Sequence, residues 1–338
     1  MRAIVVASVL VLQSAAAAEP PVAPKADPAL ALYAKPGELV DIGGGRKLNL
    51  RCSGEGSPVV VLEAGALTDS ITWRAVQPLV AKQTKVCSYD RAGYGFSSDG
   101  PAPRDIDADA ADLNALIKSA KLPTPAIVVG HSLGTNIVRR FADKHAADVA
   151  GIVLVDPPPQ HTSEFSAEWV KADKQGSEQR IAFATACAKA ASEGKLAKPE
   201  GPLTQCIRTG DPRYPDALNA AIRAQKEQPP FWHTLISELQ SNIALFEQPV
   251  SANESHGSIP LIVLSASDPF EGAPPEGKQA MESARAKTQK AIAATSTQGK
   301  LVPVPKSSHD IQLDRPEAVA KAIDEVIAAS RASAKTAH

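Results

Sequence analysis

Residues 127–134 read IVVGHSLG, an apolar run that stops at Gly130, Ser132 and Gly134 and passes directly into the amphipathic stretch SLGTNIVRRFADKH. Ile127, Val128 and Val129 have the character of a buried strand. Leu133, Ile137 and Phe141 recur at the spacing of one helix face. Strand and helix can meet over so few residues only through a sharp turn, and glycines two residues either side of the serine keep clear of the neighbouring strand and helix. The unit predicts a buried strand with a helix packed back on its sheet.

The rest of the chain repeats that alternation. ELVDIG and RKLNLRCS read as two early strands meeting at Gly43-Gly44-Gly45, and PVVVLEAG reads as a buried strand. A helix pattern over Thr72 to Lys82 precedes the strand KVCSYD. From Asp105, the residues Ile106, Ala110, Leu113 and Ile117 lay an apolar stripe on a helix. PAIVVG and GIVLVD are the next strands. From Pro157-Pro158-Pro159 to about Gly257 the sequence offers only polar and Ala-rich helical stretches. Alternation then resumes with IPLIVLSASD, a helix near Gly277 to Thr295, the strand KLVPVP and a last helix from Asp314, where DRPE suggests a cap with Glu317 reaching back. Alternating strands and helices predict a mostly parallel sheet, with 157–257 inserted as a helical cap between two of its strands.

The ends and the cysteines bear on compartment. MRAIVVASVLVLQSAAAA places Arg2 before a short apolar block and ends in small residues, the layout of a secretory leader cleaved after Ala18. Its apolar block is shorter than a spanning helix needs, so no stable membrane insertion is expected after cleavage. The Pro- and Ala-rich 19–37 reads as a flexible lead-in, and 333–338 as a tail. Export permits disulfides among the four cysteines, and the expected pairs are Cys52 with Cys87, on strands, and Cys187 with Cys206, close together in the cap. Sequence alone allows three pairings or four buried thiols. No cysteine spacing suggests zinc, and no cofactor motif is present. A net charge of −1 gives no broad basic field for nucleic acid.

A serine hydroxyl is a poor nucleophile at neutral pH and needs a base in contact and donors for the oxyanion it creates. The turn at Ser132 exposes the side chain, and the N–H of Leu133 opens a helix, where partial positive charge favours an anion. Together with VVVLEAG at 59–65, YDRAGYGFS at 89–97, LIVLSASDPF at 261–270 and SSHDIQ at 307–312, the elbow VVGHSLG at 128–134 makes the sequence resemble the α/β-hydrolase superfamily, in its serine-nucleophile branch with a helical cap. The resemblance implies an α/β-hydrolase core at 38–156 and 258–332, and a triad in the chain order Ser, Asp, His.

Here that order is offered by Ser132, Asp268 and His309. Asp268 follows a strand and precedes Pro269, at the carboxyl end where open α/β sheets keep their sites. Of the seven histidines, only His309 follows a core strand across a short loop; His131 adjoins the serine and is expected to point away. The second oxyanion donor is placed at the N–H of Ala66, although Glu63-Ala64-Gly65 stands where many relatives carry His-Gly. In YDRAGYGFS, Asp90, Arg91, Gly93 and Gly95 are read as structural. Ser98 stands where a dinucleotide fingerprint needs its third glycine. Trp73, Phe231, Trp232 and Phe246 are read either as lining an acyl pocket or as packing of the cap.

The resemblance implies hydrolysis of a small-molecule ester. A lactonase, a thioesterase or a carbon–carbon bond hydrolase would use the same residues, and a silent fold that binds a ligand is the non-enzymatic alternative. Serine rather than aspartate at position 132 argues against halide- or epoxide-opening chemistry.

Overall fold

The computed structural model describes residues 26–161, 167–208, 212–270 and 275–336. The expected leader, the start of the lead-in and the end of the tail lie outside them. Among the described residues one sheet contains β1 (Glu38–Gly43), β2 (Arg46–Ser53), β3 (Val60–Glu63), β4 (Val86–Tyr89), β5 (Ala126–His131), β6 (Val149–Val155), β7 (Leu261–Ala266) and β8 (Gly299–Val304). Their order across the sheet is β1-β2-β4-β3-β5-β6-β7-β8. The β1–β2 and β2–β4 pairs are antiparallel, and every other pair is parallel. β5 is therefore central, with β3 on one side and β6 on the other.

The helices are α1 (Gln77–Val80), α2 (Ile106–Ser119), α3 (Leu133–Lys144), α4 (Ala167–Ser192), α5 (Asp216–Lys226), α6 (Pro229–Glu247), α7 (Pro275–Ala293), α8 (Ile311–Asp314) and α9 (Pro316–Thr336). Alternation along each strand divides the core into two layers. Val61, Val128, Ile152 and Val263 meet Leu113 and Leu116 of α2, Ile137 and Phe141 of α3 and Ile292 of α7. On the opposite face Val60, Leu62, Ile127 and Val129 meet Val80 of α1 and Val319, Ile323 and Val326 of α9. Truncating a fully buried residue such as Phe141 to Ala would cost about 3–5 kcal/mol.

Between β6 and β7 the chain leaves the sheet to form α4, α5 and α6. Of these, α4 and α6 enclose a separate apolar cluster of Leu196, Trp232 and Leu235 around the Cys187–Cys206 disulfide. Cys52 and Cys87 stand opposite each other on β2 and β4 and form the second disulfide. Both pairs are those the sequence order suggests.

Three local expectations change. The helix expected over Thr72 to Lys82 is a 3-10 turn, Ser70–Trp73, followed by the single turn of α1. Residues 28–34 of the lead-in form a 3-10 helix rather than a flexible strand of chain. Asp27 caps it at Ala29, and Leu30 buries itself against Ile71 of the core and Leu218 of α5. Asp314 ends α8, and its carboxylate accepts from the N–H (2.7 Å) and hydroxyl (2.6 Å) of Ser308, latching the loop that carries His309.

Candidate active site

The centre of the site is the junction of β5 and α3. Ser132 has φ 51° and ψ −122°, a conformation that L-residues rarely adopt and that costs about 1–3 kcal/mol. Its N–H donates to Val155 O at 3.1 Å, and its carbonyl accepts from the N–H and hydroxyl of Thr135 at 2.9 and 2.7 Å. The strained turn is thus tied to the end of β6 and to the first turn of α3. The flanking glycines are required by contact: a Cβ on Gly130 would lie 2.3 Å from Gly134 O, and one on Gly134 would lie 2.5 Å from Ala64 O.

The loop after β3 lies directly against the serine. A Cβ on Gly65 would meet Ser132 Cβ at 3.2 Å and His131 Nδ1 at 2.9 Å. Ala66 is therefore the next peptide beyond the backbone that touches the serine. Leu133 is the first residue of α3, so its N–H is among those an α-helix leaves without an intrahelical acceptor.

His309 reaches the site from the loop after β8. That loop is laced to the end of β7: Ser307 N donates to Ser267 Oγ at 3.1 Å, Ser267 Oγ to Ser307 O at 3.2 Å, and Asp268 N to Ser307 O at 3.0 Å. The His309 and His131 rings lie 4.9 Å apart between centroids. His131 is buried, and its Nε2–H donates to His309 O at 3.0 Å. Gln312 Nε2 donates to His131 Nδ1 at 3.3 Å, which fixes the neutral tautomer. Burial, then the neighbouring His309, lowers the His131 pKa to about 4.

The partner of the His309 ring is Asp156, with Nδ1 2.7 Å from Oδ2. This corrects the assignment of Asp268. Asp156 follows β6, the strand beside β5, and is fully buried. Its Oδ1 accepts from Arg285 Nη1 at 2.6 Å, Gln289 Nε2 at 3.0 Å and Ala266 N at 3.1 Å. Burial acts to raise its pKa, but the His309 hydrogen bond and the Arg285 charge outweigh that and hold it below the ordinary carboxylate value. Asp268 instead accepts from Lys278 Nζ at 2.5 Å and is half exposed. A signal for Asp156 was present: like Asp268, it stands between an apolar strand and a proline.

Asp90 behaves as a structural residue, accepting from Ser70 N, Phe96 N and Asn49 Nδ2. Gly95 is pressed onto its carboxylate, and Gly93 onto Thr234 of α6. Of the aromatic candidates, Trp73 is wholly buried in the core layer with α9, and Trp232 packs inside the cap with its Nε1 donating to Lys226 O at 2.7 Å. Phe231 meets Tyr94 edge-on across the cap–core junction at 5.7 Å, and Phe246 packs on the core. A cleft of about 730 Å³ beside α3 is lined by Asn136, Arg139, Gln160 and Glu254, not by Ser132 or His309. Among the described residues, no three His, Cys, Asp or Glu side chains gather as a metal site, and no helix is long and apolar enough to cross a membrane.

Comparison with known proteins agrees with this architecture. The profile of the alpha/beta hydrolase family matches residues 59–322, and the chain belongs to that family. A thermophilic esterase from Thermogutta terrifontis superposes with a TM-score of 0.56 at 19% identity, covering 88% of this chain and 99% of that one. The enol-lactonase from Burkholderia xenovorans gives 0.55 at 20% identity, covering 86% and 99%. At such identities the likeness is one of fold. Among curated sequences, the uncharacterized protein YqjL of Bacillus subtilis is 34% identical over 113 residues, 33% of this chain and 45% of its own length. A putative non-heme chloroperoxidase of Synechocystis is 34% identical over 107 residues, 31% of this chain and 38% of its own. The chain thus spans less than half the length of these curated relatives.

Proposed function

We propose that the protein is a secreted or periplasmic serine hydrolase that cleaves a small or medium carboxylic ester, with Ser132 as nucleophile, His309 as base and Asp156 as the acid that orients it. The observation that carries this reading is the buried Asp156 carboxylate on Nδ1 of His309, whose ring packs on that of His131, the residue immediately before a serine held in a strained strand-to-helix turn. The esterase among the similar folds and the two disulfides, which suit an oxidising compartment, support it.

In this mechanism Asp156 holds the proton of His309 on Nδ1, which leaves Nε2 to take the Ser132 proton as the hydroxyl attacks the acyl carbonyl. Asp156 then stabilises the imidazolium. The N–H groups of Leu133 and Ala66 receive the oxyanion, the former aided by the N-terminus of α3. Protonated His309 passes its proton to the leaving alcohol, and water repeats the attack on the acyl-enzyme.

The test is intact-mass analysis after treatment with a fluorophosphonate probe. Wild type is expected to gain one adduct and Ser132→Ala none; no wild-type adduct, or an equal adduct on the variant, would overturn the proposal. Nitrophenyl esters of rising chain length, with a lactone and a thioester alongside, then define the acyl preference.

A further inference from the structure

Arg91, read from the sequence as a structural residue, is 2% exposed and stands between the serine loop and the cap. Its Nη1 donates to Ala64 O at 2.7 Å and to Glu63 Oε1 at 2.8 Å, and its Nη2 donates to Gly65 O at 2.8 Å. Its Nε donates to Glu238 Oε1 of the cap helix α6 at 3.2 Å, and Tyr94 Oη donates to the other Glu238 oxygen at 2.7 Å. One planar group therefore grips two successive carbonyls of the loop and one carboxylate of the cap. Burial opposes the Arg91 charge, but Glu238 and Glu63 more than restore it and keep it permanently cationic.

The consequence follows from peptide planarity. Gly65 C=O and Ala66 N–H belong to one trans peptide unit and point in opposite directions. Fixing the carbonyl on Arg91 fixes the direction of the N–H, in a loop already in contact with Ser132. We propose that Arg91 is a positioning residue for the oxyanion loop and Glu238 its anchor in the cap, so that the seating of α6 sets the aim of the Ala66 N–H. The inference rests on Ser132 being the nucleophile.

The experiment compares wild type, Arg91→Lys and Glu238→Gln on a p-nitrophenyl ester and on its thionoester, whose sulfur is a poor hydrogen-bond acceptor. Lysine keeps the charge and loses the fork. The preference for ester over thionoester is expected to fall about tenfold or more in Arg91→Lys, through kcat rather than KM, against the 10²–10³-fold typical of losing a whole oxyanion donor. Glu238→Gln is expected to shift it in the same direction by less. A purely structural role would lower both turnovers in proportion, and an unchanged ratio in the folded variants overturns the proposal. If Arg91→Lys does not fold, as judged by circular dichroism, an unchanged ratio in Glu238→Gln suffices to overturn it. A wild type that takes no fluorophosphonate and cleaves no ester refutes the nucleophile reading instead; a labelled, active wild type with unchanged variant ratios refutes only this one.

Discussion

The Nδ1 atom of His309 and the Oδ2 atom of Asp156 are 2.7 Å apart although 153 residues separate them in the chain, and the entire cap is threaded between them. The carboxylate comes from the strand next to the serine strand rather than from the following one. Its second oxygen is saturated by Arg285, Gln289 and Ala266 N, so the group is fixed in place and ionised.

Two substitutions separate Asp156 from Asp268. Asp156→Asn should lower kcat about 10³–10⁴-fold by favouring the wrong histidine tautomer. Asp268→Asn removes only a partly exposed ion pair with Lys278, worth under about 1 kcal/mol, and should leave kcat within a few-fold of wild type. Steady-state kinetics on any ester that wild type cleaves decides between them; a large loss from Asp268→Asn with little from Asp156→Asn reverses the assignment.

The elbow and the sheet were readable because their determinants are local. Apolar alternation, paired glycines and turn residues act within a few positions, and Gly130, Ser132, Gly134 and the β-strands around them follow directly. The choice between Asp156 and Asp268 is not local: both end apolar strands before a proline, and only the burial of one and the Lys278 partner of the other distinguish them. The grip of Arg91 on Ala64 and Gly65 was hidden for the same reason, since it depends on Glu238 arriving from a distant cap helix. Asp314 shows a competition: DRPE is a sound capping pattern, but Ser308 offers its carboxylate two donors.

His131 should make the protein acid-sensitive. Its pKa is lowered to about 4 by burial and by His309, against an unfolded value near 6.5. Between those values the unfolded chain binds more protons, so this stabilisation is complete above pH ~6.5 and is lost as pH falls toward 4. Wild-type Tm should drop across that window relative to His131→Asn, and the His131 ring should titrate near 4 by NMR. A ring titrating near 6.5 would contradict the burial argument.

Asp109 should act in the opposite sense over much the same range. Arg46, Arg91 and Arg104 share their surroundings with Glu63, Asp109, Asp112 and Glu238, leaving one carboxylate in excess. Burial, then Glu238, raises the Asp109 pKa to about 7 despite Arg91 and Arg104. Its contribution is present below pH ~4 and lost as pH rises through 7. Asp109→Asn removes that loss, so the Tm of the variant minus that of wild type should climb by several degrees from pH 4 to 7.5. Because His131 and Asp109 oppose each other, only such difference profiles reveal them, and a flat one for Asp109→Asn would show that the excess proton resides elsewhere in the network.

The Cys187–Cys206 disulfide should hold the cap rather than the sheet. It closes a sequence separation of 19 residues, packs with Leu196 and Trp232, and lies in a cluster distinct from both core layers. Loop-closure entropy gives such a link about 3 kcal/mol. The core layers contain none of these residues, so a Cys187→Ala, Cys206→Ala double variant should retain a cooperative core transition while limited proteolysis within 193–228 accelerates about 10-fold or more. Anchored only by its remaining contacts, including Glu238 to Arg91, the loosened cap should also lower the ester-to-thionoester preference. Mass spectrometry of the proteolytic fragments over time reads the first effect and the paired-substrate assay the second; core strands cleaved as early as the cap would show that the disulfide stabilises the whole molecule instead.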